Sequence, residues 1–300
     1  MKFGKLADIR GVDFSLPPDP EPGRLPGKPA GDFRAYVGLS RWASKAWLGQ
    51  LYPPGTRQAD YLYYYARSFN TIELNSTHYR TPTPVQVEKW RDATPGNFVF
   101  CPKVPQLISH YRKLVNCEEA LAQFVDSIVH FEDKLGCCFV QLHDSFGPAL
   151  YPNLVSFLRQ WPRGIPLAVE FRHADWFAAG QLLPQVEELL ANAGVGTVIT
   201  DVAGRRDVCH TSLTTRYAMI RFVGNALDAT DYQRAEAWIE RLDRWLRAGL
   251  ETLYLFPHEP EDPMAADMGR YWIEGLNRKL GTDLPLPGLD NRPNTQMSLF

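Results

Sequence analysis

The chain lacks long hydrophobic runs and paired cysteines. No apolar stretch approaches the ~18 residues of a membrane-spanning helix, and the N-terminus has no apolar run of the kind that marks a signal peptide. The five cysteines are an odd number without the paired spacing of a zinc site or a secreted disulfide scaffold. These absences predict a protein of the reducing cytoplasm with no membrane partner.

An excess of charge of one sign is also missing. The formal net charge is −2 at pH 7 and the pI is about 6.4. A broad basic surface that wraps nucleic acid is therefore excluded, and any contact with DNA must come from a local cluster. With 300 residues, of which 45% are hydrophobic and 22% charged, the chain suits one large globular domain or two small ones.

Proline and glycine concentrate in residues 1–33, which predicts an extended or mobile leader outside the packed fold. After this leader, short β-branched or aromatic runs alternate with segments of helical period, as in repeated βα units. Eight strands are predicted at residues 34–40, 71–77, 98–105, 137–143, 166–173, 196–201, 217–224 and 251–258. Helices are clearest at residues 118–135, 184–193, 231–248 and 264–280.

Eight strands with interleaved helices in about 250 residues match the size of a (β/α)8 barrel. We therefore predict an α/β fold, a single-domain TIM-type barrel at residues 34–281 between the leader and a polar tail at 282–300. An open doubly wound sheet is the alternative. The turn after Ser40 does not support that alternative, because Gly49 and Gly55 are too far apart for a glycine-rich phosphate-binding turn.

In such a barrel the active site lies at the C-terminal ends of the strands, so polar residues that end the strands should converge there. Barrel interiors are filled mainly by Val, Ile and Leu, and charged groups among them need a reason. The candidates are Ser40, Trp42, Glu73, Asn75, Tyr79, Lys103, Gln141, His143, Glu170, Arg172, His173, Asp201, Arg221, His258 and Glu259. The adjacent Cys137 and Cys138 should face opposite sides, one the interior and one the helices.

The charged candidates suggest an anion-binding, hydrolytic site. Lys103, Arg172 and Arg221 offer a cationic pocket, since the planar fork of arginine binds phosphate or carboxylate bidentately. Glu73 and Glu170 could divide acid and base roles, and a histidine could shuttle a proton near neutral pH. The predicted catalytic residues are Glu73, Glu170 and His173. The alternative is that the charges form internal ion pairs, such as Glu73 with Lys103 or Glu170 with Arg221.

Aromatic rings in the loops at the same end could stack on a base or a sugar, although loop aromatics more often serve packing. The predicted ligand-binding residues are Ser40, Trp42, Asn75, Tyr79, Lys103, Gln141, Arg172, Trp176, Asp201, Arg221 and His258.

A divalent metal site is the competing interpretation. Glu170, His173, Asp201, His258 and Glu259 supply oxygen and nitrogen ligand types on neighbouring strand ends. However, no two histidines have the one-helix spacing of a zinc protease, and the nearby arginines compete for the carboxylates. We predict no metal ligands and no required cofactor, with a divalent metal as the alternative.

The last five residues, 296–300, resemble the bacterial sliding-clamp-binding motif, in which Gln, an aliphatic residue, Ser or Asp, Leu and Phe occur in that order. Gln296, Met297, Ser298, Leu299 and Phe300 match it completely. Leu299 and Phe300 are apolar anchors that a free tail cannot bury, and Gln296 can fix the register by hydrogen bonds. The motif predicts docking to the DNA polymerase sliding clamp (the beta clamp). The alternative is that Phe300 folds back onto the chain's own core.

Several segments resemble the YecE-like family, the domain-of-unknown-function family 72, over roughly residues 34–280. They are YVGLSRWASKAWLGQLYP, TIELNSTHYRTP, KLGCCFVQLH and AVEFRHADWF, together with Lys103. The resemblance implies a TIM-type barrel and supplies no reaction, although members have been likened in shape to metal-dependent endonucleases of the same barrel class. LYLFPHEP replaces the Asn-rich ending that is typical of strand 8 in that family.

Together these features predict a cytoplasmic barrel protein, docked on the sliding clamp, that binds or hydrolyses a phosphate-bearing nucleic-acid substrate in replication or repair. The enzyme class would be a phosphodiesterase or nuclease-like hydrolase. One alternative is an enzyme acting on a small phosphorylated or carboxylated sugar, with or without a metal. Another is a non-catalytic adaptor that is tethered to the clamp.

Overall fold

Eight parallel strands form the centre of the protein, as the sequence predicts. The structure, a computed structural model, describes residues 4–19 and 32–289. Seven of the strands begin and end within a few residues of the prediction, and the eighth, at 196–201, agrees at both ends. The strands are β1 (Arg34–Leu39), β2 (Thr71–Leu74), β3 (Val99–Pro102), β4 (Cys138–Gln141), β5 (Leu167–Glu170), β6 (Gly196–Asp201), β7 (Tyr217–Val223) and β8 (Thr252–His258).

The strands follow one another around a nearly closed barrel in the order β3-β2-β1-β8-β7-β6-β5-β4. β7 and β8 pair in parallel along seven residues of each strand. β3 and β4, in contrast, are joined by two isolated bridges, Phe100 with Leu135 and Lys103 with Phe139. We call this join the β3–β4 seam. It closes the barrel with much less backbone pairing than β7 and β8 have.

Residues on the strands alternate between two apolar layers. An interior cluster is formed by Val99, Cys101, Cys137, Phe139, Ala168, Val198, Met219, Tyr254 and Phe256. A larger core between the strands and the helices contains Cys138, Val140, Ile199 and Phe222. Cys137 thus lies in the interior and Cys138 faces the helices, which confirms their predicted opposite orientation. Because both faces of a parallel sheet are covered, its strands are almost continuously apolar in sequence.

Eight α-helices accompany the strands in the described ranges. They are α1 (Tyr61–Tyr65), α2 (Ser76–Tyr79), α3 (Pro84–Asp92), α4 (Glu118–Ile128), α5 (Tyr151–Gln160), α6 (Pro184–Ala193), α7 (Ala229–Arg247) and α8 (Asp262–Leu280). Helix α6 agrees with the prediction at both ends, and Gly194 stops it in the left-handed conformation that favours glycine. The connection from β6 to β7 contains no α-helix, only a 3-10 turn at Arg206–Val208.

Several shorter elements complete the connections. Other 3-10 turns lie at Lys45–Trp47, Gln58–Asp60, Val129–Lys134, Pro148–Leu150 and Ala174–Trp176, and a π-helical turn lies at Leu107–Tyr111. A small antiparallel hairpin pairs Phe177–Ala178 with Gln181–Leu182. None of the helices in the described ranges is both long enough and apolar enough to cross a membrane.

Residues 4–19, which we call the strap, have no helix or strand but lie against the barrel. The Phe14 ring lies 4.8 Å from the Arg234 guanidinium carbon. Asp19 forms an ion pair with Arg241 at 2.8 Å and accepts a hydrogen bond from the Trp245 indole at 3.0 Å. This part of the predicted leader is therefore attached to α7.

Candidate functional site

The interior face at the C-terminal end of the barrel carries a buried ionic network centred on Arg221. This guanidinium donates to both carboxylate oxygens of Glu73, at 2.9 Å each, and to Glu170 Oε2 at 2.8 Å. All three side chains are at least 98% buried. Because β2, β5 and β7 each supply one member, the network holds three sides of the barrel together at this level.

The network extends from Arg221 towards the β3–β4 seam. Arg172 donates to Glu170 Oε1 at 2.9 Å and to Gln141 Oε1 at 2.8 Å. Lys103 Nζ donates to the same Gln141 oxygen at 2.9 Å. A neutral amide oxygen thus receives two cationic donors, and the bond from Lys103 to Gln141 spans the seam.

Two further side chains complete the carboxylate contacts of Glu73. Asn75 Nδ2 donates to Glu73 Oε1 at 2.7 Å, and His258 Nε2 lies 2.9 Å from Glu73 Oε2. Burial opposes ionisation of Glu73, but Arg221 and His258 hold its pKa well below the usual range. Burial opposes ionisation of Glu170 as well, yet Arg172 and Arg221 lower its pKa to about 2. Both carboxylates are therefore ionised at neutral pH.

The pKa of Lys103 lies near neutrality. Burial, and next the positive charge of Arg221, lower the pKa of Lys103 to about 7, although Glu170 and Glu73 act in the opposite direction. The side chain is 7% exposed. Its charge thus depends on pH in the physiological range, and a bound anion would favour the charged form.

The tautomer of His110 follows from the same contacts. Gln141 uses its oxygen for Lys103 and Arg172, so its amide NH2 group points to His110 Nε2, 3.5 Å away. Nε2 must therefore accept, which leaves the proton of His110 on Nδ1, 2.8 Å from Ser109 Oγ. Burial, followed by the charge of Lys103, lowers the pKa of His110 to about 4, in agreement with a neutral ring.

A cavity of about 1030 Å³ lies beside the network, between the strap and the ends of β1, β7 and β8. Ser40 and His258 line it, and His258 therefore links the cavity to Glu73. Carboxylates outnumber cations in its lining, with Asp8, Asp228, Glu259, Glu261 and Asp262 against Lys5, Arg10 and Arg41. This excess of carboxylates does not favour an anion in the cavity.

The structure brings eight of the predicted site residues into one hydrogen-bonded group, namely Glu73, Asn75, Lys103, Gln141, Glu170, Arg172, Arg221 and His258. The ion pair of Glu170 with Arg221, predicted as a structural alternative, is present. Glu73 pairs with Arg221 rather than with Lys103. The group is therefore both the predicted site and a set of internal ion pairs.

Asp201 does not join this group. It pairs in register with Phe222, which packs on Trp272 outside the barrel, so Asp201 also faces the helices. There it accepts hydrogen bonds from Arg234 at 2.9 Å and from the Trp238 indole at 2.6 Å. Asp201 is therefore separate from the residues with which it was predicted to converge, because its side chain ties β6 to α7.

Three other candidates stand apart from the group. Trp176 is fully buried and donates to the Phe146 carbonyl, so it cannot stack on a ligand. His173 packs near Gly147, and its Nδ1 accepts from the backbone NH of Asp175 at 3.3 Å. Trp42 packs edge to face on Trp90, with ring centroids 5.4 Å apart. Residues 296–300, which carry the predicted clamp motif, lie outside the described residues.

The residues of the metal alternative do not converge. Asp201 faces α7, and Glu259 Oε2 instead accepts from the backbone NH of Ala226 at 2.9 Å. Within residues 4–19 and 32–289, no group of three or more His, Cys, Asp or Glu side chains is arranged to hold a metal ion.

Thr200 and His110 are not among the residues that the sequence predicts for the site. Thr200 pairs in register with Arg221 and is 3% exposed, and its hydroxyl has no hydrogen-bond partner among the described residues. Alternation along β6 from the interior residue Val198 would have indicated its orientation. His110 contacts Gln141 from the π-helical turn in the connection after β3, and no periodic pattern in the sequence predicts this contact.

Comparisons with known proteins identify relatives across nearly the whole barrel. The family described as "Protein of unknown function DUF72" matches residues 36–290. The "UPF0759 protein YecE" of Escherichia coli (strain K12) is 30% identical over 283 residues, covering 88% of this chain and 99% of that protein. The "UPF0759 protein YunF" of Bacillus subtilis (strain 168) is 29% identical over 153 residues, covering 48% of this chain and 52% of that protein.

A solved structure has the same fold. The crystal structure of a DUF72 family protein from Enterococcus faecalis V583 superposes with a TM-score of 0.66 at 20% identity, covering 82% of this chain and 98% of that chain. At this identity the likeness concerns the fold alone.

Proposed function

The chain belongs to the DUF72 family of proteins of unknown function, and from its site geometry we propose that it binds a phosphate-bearing nucleic-acid substrate at the barrel mouth and hydrolyses the phosphate ester. One observation carries the proposal: the buried network holds three cations, Lys103, Arg172 and Arg221, against two carboxylates, Glu73 and Glu170. A buried group with excess positive charge is stabilised by an anion.

Lys103 is the cation best placed to meet that anion. Among the described residues, the hydrogen-bond acceptor of its ammonium is the neutral Gln141 oxygen, so two of its three N–H donors remain for a ligand. The hydroxyl of Thr200, which has no hydrogen-bond partner among the described residues, lies on the same inner face of the barrel. Both features fit a small oxyanion such as the phosphate group of an ester.

The hydrolytic step follows from competition for Arg172. A phosphate that draws Arg172 to itself would release Glu170 Oε1, which could then accept a proton from the attacking water. As the water oxygen bonds to phosphorus, the ester P–O bond breaks, and the leaving alkoxide takes its proton from solvent water. Glu73 does not fit the acid role predicted from sequence, because its lowered pKa leaves no proton to donate at neutral pH. We therefore assign Glu73 to the positioning of Arg221.

Binding is tested with dimethyl phosphate, a phosphodiester whose charge does not change between pH 6 and about 9. Affinity measured by calorimetry should fall as pH rises through about 7, because Lys103 loses its proton there. Lys103→Met should weaken binding by about tenfold or more. Lys134→Met is the matched control, since Lys134 is 9% exposed and donates to the carbonyls of Arg91 and Thr94. Equal affinity of both variants and of the parent would refute the anion site.

Turnover is tested with a chromogenic phosphodiester, bis(4-nitrophenyl) phosphate, and with oligonucleotides. Glu170→Gln should abolish turnover but retain phosphate binding, because the cations remain in place. Circular dichroism confirms that the variant is folded. Unchanged turnover in folded Glu170→Gln protein would remove the assigned base.

The tail supports a second part of the proposal, in which the protein works in the cytoplasm while docked on the sliding clamp. The supporting observation is the complete five-residue motif at 296–300. Calorimetry should detect micromolar binding of the full chain to a bacterial clamp, and truncation after Thr295 should abolish it. Leu299→Ala with Phe300→Ala should have the effect of truncation, whereas Asn294→Ala, outside the motif, should bind as the parent does. Clamp binding that survives truncation would refute docking by this motif.

A further inference from the structure

A tripeptide, His-Tyr-Arg, occurs twice at the barrel mouth. His78, Tyr79 and Arg80 end the short helix after β2, and residues 110–112 repeat the sequence in the π-helical turn after β3. In both copies the histidine points inward, and the tyrosine and arginine are exposed. Tyr79 is 74% exposed and Tyr111 is 71% exposed. Large aromatic side chains with this much exposure, in pairs, are typical of binding surfaces.

The two histidines hold the copies side by side. Their rings meet edge to face, with centroids 4.9 Å apart. His78 Nδ1 lies 2.8 Å from the Val104 carbonyl, and His110 Nδ1 lies 2.8 Å from Ser109 Oγ. Burial, followed by the charge of Lys103, lowers the pKa of His78 to about 3, so this ring pair stays neutral. These contacts of the two histidines therefore fix the backbone positions of the exposed tyrosines that follow them.

We infer that Tyr79, Arg80, Tyr111 and Arg112, the Tyr–Arg rim, bind the unpaired bases and the backbone of single-stranded nucleic acid. This inference rests on the proposed function, and it selects a single strand over a duplex or a sugar phosphate. Stacking requires access to the faces of the bases, which a duplex buries between neighbouring pairs. Alternation of exposed rings with cations matches the alternation of bases and phosphates along a strand.

The rim is connected to the anion site through two side chains. His110, next to Tyr111 in the chain, contacts Gln141, whose oxygen accepts from both Lys103 and Arg172. Only His110 and Gln141 therefore separate this part of the rim from the cations that are proposed to hold the reacting phosphate. A strand that stacks on the tyrosines could place a neighbouring phosphate at Lys103.

The experiment measures fluorescence anisotropy with a labelled single-stranded oligonucleotide of about twelve units. Three further probes are the same strand in a duplex, an abasic strand of equal length, and dimethyl phosphate. The parent should prefer the ordinary strand to the abasic strand and to the duplex. Tyr79→Ala with Tyr111→Ala should lose about tenfold or more of this affinity, and the double Phe variant should retain it, because rings rather than hydroxyls stack.

Tyr63→Ala is the matched control. Tyr63 is 46% exposed and has the Arg67 guanidinium carbon 3.3 Å from its ring centroid, but it lies on α1. This variant should bind the strand as the parent does. The parent binding ordinary and abasic strands with equal affinity would refute base binding by the rim. So would a double Ala variant that binds the ordinary strand as tightly as the parent does.

The two proposals fail in distinguishable ways. If dimethyl phosphate binding depends on Lys103 but the protein shows no preference for strands with bases, the anion site is supported and base binding by the rim is refuted. If oligonucleotide binding depends on the tyrosines but is unchanged in Lys103→Met, base binding by the rim is supported and the anion site is refuted.

Discussion

At the scale of single residues, the buried ion pairs of Glu170 should contribute strongly to stability. Glu170 is 1% exposed and lies between Arg172 and Arg221, so Glu170→Gln would leave two buried guanidinium groups with reduced compensation. Removing one partner of a buried ion pair costs about 3–5 kcal/mol. We expect a loss of that size in the free energy of unfolding at pH 7, measured by urea denaturation.

The pH dependence of this contribution follows from the lowered pKa. The folded pKa of Glu170 is about 2 and the ordinary value is 4.5, so the stabilisation is complete above 4.5 and is lost as pH falls towards 2. The difference between the parent and Glu170→Gln should therefore shrink in acid. Glu240→Gln, at an exposed glutamate that pairs with Lys279, should unfold as the parent does at both pH values. A variant that retains full stability at pH 7 would contradict the compensating role of Glu170.

At the scale of elements, the β3–β4 seam should be the first part of the barrel to open. β7 and β8 pair along seven residues of each strand, whereas the seam has two isolated bridges. Local opening is easier where fewer backbone hydrogen bonds must break. Amide hydrogens of residues 99–101 and 138–141 should exchange faster than those of residues 217–223 and 252–256, as measured by hydrogen exchange and mass spectrometry. Equal protection of both pairs would show that the side-chain contacts across the seam compensate for the missing ladder.

Strand positions were predictable from sequence because each strand is covered on both faces and is therefore a short apolar run. Whether a residue near the end of a strand faces inward was harder to predict, since a shift by one residue reverses the orientation. Asp201 shows the difficulty: Thr200, one position earlier, is the inward residue. The docking of the strap could not be predicted either, because it depends on Arg241 and Trp245, more than 200 positions away in sequence.

At the scale of the whole molecule, the barrel should shield all its thiols. The five cysteines are buried, and burial raises the pKa of Cys101 and of Cys209 to about 12. Native protein should therefore react very slowly with a thiol reagent, whereas all five cysteines should react in urea. Labelling followed by peptide mass spectrometry measures this directly. Rapid modification of one cysteine in native protein would reveal an opening of the barrel that precedes global unfolding.

The hydrogen bond from Lys103 to Gln141 crosses the β3–β4 seam. An anion bound at Lys103 would therefore stabilise the barrel where its neighbouring strands share little backbone pairing. A ligand at a hundred times its Kd adds about 2.7 kcal/mol to the folded state. Heat resistance in the presence of candidate phosphates would thus serve as a screen that works whatever the reaction is. The compound that raises the Tm most would indicate the substrate class.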